Sequence, residues 1–155
     1  MRRFAALAIL VLTGCIHETD DTLIGAARLG HVDKVKAFIQ QGADLNAGAG
    51  VNGWPPLMHA IHKNQRGSVI ALLEAGADPN RTGANGLTPL MMAAGYGYGD
   101  IVRDLLSHGA DPKRKDGKGL TARDYAKSGV MDIDRFTYGR EQTEALKELQ
   151  KVNSQ

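Results

Sequence analysis

Apolar residues recur along this chain in pairs of short stripes with helical spacing. The clearest pair lies between residues 85 and 113. Its first segment opens at Leu90 and carries the small residues Ala93 and Ala94. Its second segment places its apolar residues three or four apart, at Ile101, Val102, Leu105 and Leu106. Apolar residues at this spacing form one face of an amphipathic helix, so the pattern predicts two short antiparallel helices.

Polar residues and glycines predict where these two helices begin and end. The Asn-Gly-Leu segment at 85–87 is typical of a turn, and Thr88 before Pro89 is typical of a helix N-terminus. Gly95, Gly97 and Gly99 are expected to break the chain between the helices. We expect Asp100 to cap the second helix and Gly109 to end it in a left-handed conformation.

The same phrases return at a fixed interval. Gly42-Ala43-Asp44 is followed 34 residues later by Gly76-Ala77-Asp78 and 33 residues after that by Gly109-Ala110-Asp111. Pro56-Leu57 and Pro89-Leu90 keep the same step. A period of this length is the signature of a solenoid, in which each repeat packs only on its neighbours and the stack presents a long surface for a partner.

Two stretches carry a resemblance to a known family. They are Gly86-x-Thr88-Pro89-Leu90-x-x-Ala93-Ala94 and Ile101-Val102-x-x-Leu105-Leu106-x-x-Gly109-Ala110-Asp111, and together they resemble an ankyrin repeat. The resemblance implies an all-α ankyrin-repeat solenoid of about four helix–turn–helix repeats with β-turn tips. We expect these repeats at about 21–50, 51–83, 84–116 and 117–150, with a tail at 151–155 and a longer inter-helix stretch at 131–138 in the last repeat. Met58 and Met91 stand where the family usually has histidine. We therefore expect the hydrogen-bond network of the turns to be weaker than is usual for the family.

The first fourteen residues have the composition of an export signal. Arg2 and Arg3 precede the apolar run 4–12, which is too short to span a bilayer. Leu12-Thr13-Gly14-Cys15 resembles the lipobox of bacterial lipoproteins. We therefore predict a lipoprotein signal peptide at 1–14, and a lipidated Cys15 with a short tether at 15–20. The alternative is an exported protein with a free thiol.

This leader predicts where in the cell the protein is located. A lipid on Cys15 would anchor the chain in the bacterial cell envelope, and Ile16 after the cysteine favours the outer membrane facing the periplasm. The five residues 16–20 extend at most about 3.5 Å each, so the repeats would lie close to the membrane.

Charge argues against one class of partner. The 19 basic residues include Arg2 and Arg3 of the predicted leader, and the remainder equal the 17 acidic residues in number. Such a balanced body offers no general electrostatic attraction for nucleic acid, so none is expected as a partner.

Residues that could carry chemistry are few. His59 and His62 are three apart on one predicted helix, but we expect them to diverge, with His59 toward the next repeat and His62 toward the inner face. A metal site needs more ligands than these two. No nucleophile with a base and an orienting acid is evident, so we predict a non-enzyme with no cofactor and no small-molecule substrate.

Partner contacts are expected at the turn tips and on the inner helices, where ankyrin repeats bind. The predicted protein-binding residues are Arg28, Leu29, Asn52, Trp54, His62, Lys63, Arg81, Thr82, Asn85, Leu87, Tyr96, Lys115, Lys118 and Leu120. Trp54 is the strongest candidate, because a tryptophan held near solvent is a common hot spot. Its alternative role is to cover neighbouring apolar side chains.

These features together predict a monomeric, non-enzymatic module that binds another protein at the envelope. It would act as an adaptor or as an immunity-type inhibitor of its partner. The alternatives are an envelope ankyrin protein that supports peroxide defence, a metal protein or enzyme that uses His59 and His62, and a structural spacer.

Overall fold

Four antiparallel helix pairs, stacked side by side, make up the described part of the chain. A computed structural model describes residues 21–50, 52–128 and 141–152. The predicted leader, lipidation site and tether, the long stretch of the last repeat and residues 153–155 lie outside it. The helices are α1 (Leu23–Leu29), α2 (Val32–Gln40), α3 (Pro56–His62), α4 (Arg66–Glu74), α5 (Pro89–Tyr96), α6 (Gly99–Ser107), α7 (Ala122–Ser128) and α8 (Glu141–Val152).

Successive pairs stack in the same way. The first helices of the pairs (α1, α3, α5 and α7, called the inner helices) contact one another in one row. The second helices (α2, α4, α6 and α8, called the outer helices) contact one another in a second row. The predicted all-α stack of helix pairs is confirmed. Within the three described ranges, no helix is long and apolar enough to cross a bilayer.

Threonine caps begin inner helices α1 and α5, and the one at Thr88 confirms the predicted cap. Thr88 Oγ1 accepts a hydrogen bond from Met91 N at 3.1 Å, and Thr22 Oγ1 accepts one from Gly25 N at 3.0 Å. In return, Thr88 N donates to Met91 Sδ at 3.4 Å. A capping box normally uses a carboxylate or amide there, so the thioether fills that place as a weaker acceptor.

The predicted Asp100 cap is wrong. Helix α6 begins at Gly99, so its N-cap residue is Tyr98, two residues before the predicted cap. Tyr98 makes no side-chain cap hydrogen bond. Asp100 therefore lies inside the first turn, where its carboxylate accepts from Arg103 Nη1 at 2.8 Å. Gly97 alone ends α5, with φ of 80°, because Gly95 lies within that helix.

The recurring Gly-Ala-Asp phrase has a structural reason. Asp78 N donates to Asn46 Oδ1 at 2.9 Å, and Asp111 N donates to Asn80 Oδ1 at 2.8 Å in the next repeat. The Asp78 carboxylate closes its own turn by accepting from Asn80 N at 2.8 Å. Asparagine side chains thus tie the second repeat to the first and the third to the second by accepting from the backbone N–H of the aspartates.

Backbone hydrogen bonds also join each turn tip to the next. Ala84 N donates to Asn52 O at 2.9 Å, and Gly117 N donates to Asn85 O at 2.7 Å. Asn85 has φ of 58° and is followed by Gly86 with φ of 75°, so this tip uses two left-handed residues. These hydrogen bonds hold consecutive tips side by side and so fix the residues that project from them.

The core runs the length of the stack between the two rows. Leu57, Leu72, Leu90 and Leu105 are fully or almost fully buried, as the stripe pattern predicts. Ala93 is completely buried on α5, where a small side chain permits close contact with the neighbouring inner helices. The outer row adds ion pairs between repeats.

Those ion pairs link three outer helices. Arg66 on α4 donates to both carboxylate oxygens of Asp104 on α6, at 2.7 and 3.1 Å. Arg103 on α6 donates to Glu148 on α8 at 3.0 Å, and Lys151 donates to the same carboxylate at 2.8 Å. Glu148 is buried, and its pKa is lowered first by Arg103 and then by Lys151. Asp104 and Glu148 are therefore neutralised within the outer row.

Candidate functional site

Trp54 lies at a turn tip and covers part of the next one. Its carbonyl oxygen accepts from Ala49 N at 3.1 Å, which closes the tip just before helix α3. The indole lies over Gly83, where an added Cβ would come within 2.6 Å of Trp54 Cδ1. The side chain is half-buried, so one part of it packs on the protein while the rest is accessible.

Trp54 is the first of four aromatic rings that contact one another in sequence across two repeats. The ring centroids of Trp54 and His62 are 5.4 Å apart, and those of His62 and Tyr96 are 5.8 Å apart. His62 Nδ1 and Tyr96 Oη share a hydrogen bond of 2.7 Å. Tyr98 stacks on Tyr96 at 5.3 Å with an angle of 18° between the rings. We call Trp54, His62, Tyr96 and Tyr98 the aromatic row.

His59 also lies against Trp54, contrary to its predicted divergence from His62. The rings of His59 and Trp54 meet edge to face at 5.6 Å. The charge of Arg28, on the preceding repeat, acts on both His59 and His62 and lowers the pKa of each. The Nε2 of His59 is buried and has no hydrogen-bond partner among the described residues.

Comparison with known sequences agrees with the repeated geometry. The chain matches the family described as ankyrin repeats (3 copies) over residues 6–83 and 23–116. The chain belongs to the ankyrin-repeat family. The first of these matches begins inside the segment predicted as the leader, and the two together cover most of the chain.

Curated relatives share short ankyrin segments with this chain. It is 41% identical over 64 residues to the 2-5A-dependent ribonuclease of Mus musculus, covering 41% of this chain and 9% of that protein. It is 38% identical over 79 residues to the mitochondrial disaggregase of Bos taurus, covering 48% and 12%. It is 38% identical over 61 residues to the ankyrin repeat domain-containing protein 40 of Mus musculus, covering 39% and 17%. The chain thus spans less than a fifth of each of these relatives.

The residues predicted to bind a partner through the ankyrin surface all reach solvent to some degree. The exposed ones are Asn52, Lys63, Arg81, Thr82, Asn85, Lys115 and Lys118. The half-buried ones are Arg28, Leu29, Trp54, His62, Leu87, Tyr96 and Leu120. Leu87 and Leu120 pack against the core, so part of each side chain is committed to the fold. Their role in binding stays a prediction.

The structure brings some of these residues into direct contact and leaves others separate. Trp54, His62 and Tyr96 lie in one continuous row. Tyr98, which stacks on this row, and Gly83, which lies beneath Trp54, are absent from the predicted set. The alternation of glycine and tyrosine at 95–99 is a signal for Tyr98, whereas nothing in the sequence marks Gly83 as the surface beneath the indole.

A metal role for the two histidines finds no further ligands nearby. Among the residues that the structure describes, no three His, Cys, Asp or Glu side chains are grouped closely enough to hold a metal ion. Both imidazoles instead contact Trp54. Their arrangement is that of side chains packed against Trp54.

Acidification is expected to weaken the ankyrin stack at this cluster first. Burial lowers the pKa of His59 below its ordinary 6.5, and Arg28 and His62 lower it further. Burial also lowers the pKa of His62, followed by the charges of Lys63 and Arg28. The unfolded chain therefore binds protons near pH 6.5 that the folded chain takes up only at lower pH. Stability falls as the pH drops below about 6.5.

Thermal melts between about pH 8 and about pH 5 test this expectation. We expect a level melting temperature down to about pH 6.5 and a decline below it. The double variant His59→Gln/His62→Gln should show a shallower decline over the same interval. A parent melting temperature that stays level to about pH 5 would contradict the expectation.

Proposed function

We propose that this ankyrin-repeat protein binds another protein through the aromatic row and the adjoining turn tips. Ankyrin repeats form a protein–protein interaction module, and this one carries aromatic and basic side chains on one continuous face. The observation that carries the proposal is the partly exposed Trp54 set against Gly83 and continued by His62 and Tyr96. Interface hot spots are enriched in tryptophan, tyrosine and arginine held in this way.

The rigidity of the face supports this role. Consecutive tips are joined by backbone hydrogen bonds, and the His62–Tyr96 hydrogen bond joins two inner helices. A face whose side chains are already ordered loses less conformational entropy on binding. The face is therefore suited to a folded or extended protein partner rather than to a role as a spacer.

We further propose that the protein works in the bacterial envelope, anchored by lipid on Cys15. Support comes from the leader and from the Leu12-Thr13-Gly14-Cys15 sequence alone. In that setting the face would serve as an adaptor, or as an inhibitor that covers an incoming toxic protein. A monomer with one such face suffices for either role.

Site-specific photo-crosslinking in cells tests the binding face. A benzophenone amino acid placed at Thr82, which is exposed on the tip beside Trp54, should capture a discrete partner protein. The matched control is the same amino acid at Gln40, which is exposed on outer helix α2. The same crosslinks from both positions, or none from Thr82, would contradict the proposal.

Fractionation of the same cells tests the address. The parent chain should be recovered with membranes, and Cys15→Ser should release it. A parent chain found in the cytosol would contradict the envelope location without bearing on the binding face.

A further inference from the structure

Acidic and basic side chains are distributed unequally between the two sides of the stack. The inner helices α1, α3 and α5 contain no aspartate or glutamate, and Asp124 of α7 accepts from Thr121 Oγ1 at 2.6 Å. The acids of the outer helices include Asp104 and Glu148, and these are paired with Arg66 and Arg103 in the outer row. Several basic side chains of the turn tips, by contrast, form no ion pair within the described ranges.

The carboxylate of Asp116, on the last described turn tip, already accepts hydrogen bonds from its own turn and from the helix that follows. Asp116 Oδ1 accepts from Lys118 N at 2.9 Å and from Leu120 N at 2.8 Å. Its Oδ2 accepts from Tyr125 Oη at 2.8 Å, and the pKa of Asp116 is lowered, mainly by the bond from Leu120 N. The charge of Lys118 also lowers this pKa, although no ion pair joins Lys118 to Asp116.

Four exposed cations form no ion pair in the described ranges. They are Lys63, Arg81, Lys115 and Lys118. Lys63 directly follows His62 at the end of α3, and Arg81 lies two residues before Gly83, which supports Trp54. Lys115 and Lys118 flank the next tip, whose Gly117 N is bonded to Asn85 O. Three of the cations thus lie on two consecutive, hydrogen-bonded tips that follow Trp54, and the fourth lies next to His62 in the chain.

We propose that the partner of this face is an acidic protein segment. This inference rests on the proposed binding function and specifies the chemistry of the partner. Carboxylates of the segment would lie against the four cations, while apolar side chains between them would contact Trp54 and Tyr96. Charge complementarity of this kind speeds association and excludes basic partners. The 17 basic and 17 acidic residues that follow the predicted leader offer no general attraction for nucleic acid, which favours a polypeptide partner.

Fluorescence anisotropy with the full chain in detergent micelles tests the inference. The probe is a short fluorescein-labelled peptide of Glu, Asp and Leu, and its counterpart replaces every Glu and Asp by Gln and Asn. We expect the acidic peptide to bind at least about tenfold more tightly, with an affinity that falls as salt is added. Equal binding of the two peptides would overturn the inference. Tighter binding of single-stranded DNA than of the acidic peptide would overturn it as well.

Two charge-reversal variants test whether the preference for the acidic peptide depends on these cations or only on the net charge of the protein. Arg81→Glu/Lys118→Glu should abolish most of the preference for the acidic peptide. Lys36→Glu/Lys147→Glu makes the same change in net charge on the outer helices and should keep the preference; the surface pair that Lys147 forms with Glu144 is exposed and contributes little. An equal loss in both variants would show a general charge effect and overturn the inference.

The crosslinking experiment distinguishes the two proposals. A partner that Thr82 captures equally from the parent and from Arg81→Glu/Lys118→Glu would leave the binding function standing and overturn its acidic chemistry. Absence of any partner at Thr82 would count against the binding function itself, while the peptide titration would still decide whether the face prefers acidic chains.

Discussion

Replacing Leu105 by alanine is expected to lower the free energy of unfolding by about 2–5 kcal/mol. Leu105 is completely buried on α6, so its removal leaves a cavity that the neighbouring helices fill only in part. Each repeat packs only on its neighbours, and a defect in the third of four repeats affects both of its interfaces. For a domain of this size the melting temperature should fall by roughly 5–15 °C.

The adjacent residue provides the control for this experiment. Leu106 lies on the same helix but is only half-buried, so Leu106→Ala should cost clearly less than Leu105→Ala. Both variants are measured by chemical denaturation and thermal melts of the same preparation. A Leu105→Ala protein that melts with the parent would refute the placement of this residue in the core.

The second large effect is expected on binding rather than on stability. Trp54→Ala should weaken the affinity for the crosslinked partner by about 2 kcal/mol or more, a factor of about thirty. The half-buried indole is the largest side chain of the aromatic row, and its removal would also take away one of the two ring contacts of His62. Affinity is measured with the partner recovered through Thr82 and the purified variant.

Stability measurements decide between the two roles of Trp54. Because its indole covers Gly83 and contacts His59, some loss of stability is expected, but less than for Leu105→Ala. Trp54→Phe should restore part of the affinity, since an aromatic ring remains over Gly83. Unchanged affinity in Trp54→Ala, or a loss of binding accompanied by complete unfolding, would favour a purely covering role.

Much of the fold could be predicted because its determinants are local. A threonine before a proline, a glycine after an apolar stripe and a period near 33 residues each act within one repeat or between identical neighbours. Thr88 and Gly109 behave as predicted for this reason. The predicted cap at Asp100 is wrong because α6 begins at Gly99. The position of an acidic residue alone does not fix the first residue of a helix.

The candidate site was predicted less completely because its contacts join turns to helices and ring to ring, which helical spacing does not specify. His59 and His62 were expected to diverge, yet both contact Trp54, which precedes their helix on the tip. Tyr98 joins the row by stacking on a residue only two positions away, a relation that helical spacing does not express. Met91 replaces the expected histidine and still accepts the hydrogen bond of the turn, which residue identity alone did not suggest.

The amino-acid order alone determined that this chain forms repeated helix pairs, where most of them begin and end, and which leucines lie inside. Those outcomes depend on short-range capping and on helical periodicity, which neighbouring residues along the chain specify. Only the tertiary structure decided that Trp54, His62, Tyr96 and Tyr98 form one row, and that Asp104 and Glu148 of the outer row pair with Arg66 and Arg103. These relations arise from the distance and angle between adjacent repeats, and packing across the whole stack sets that geometry.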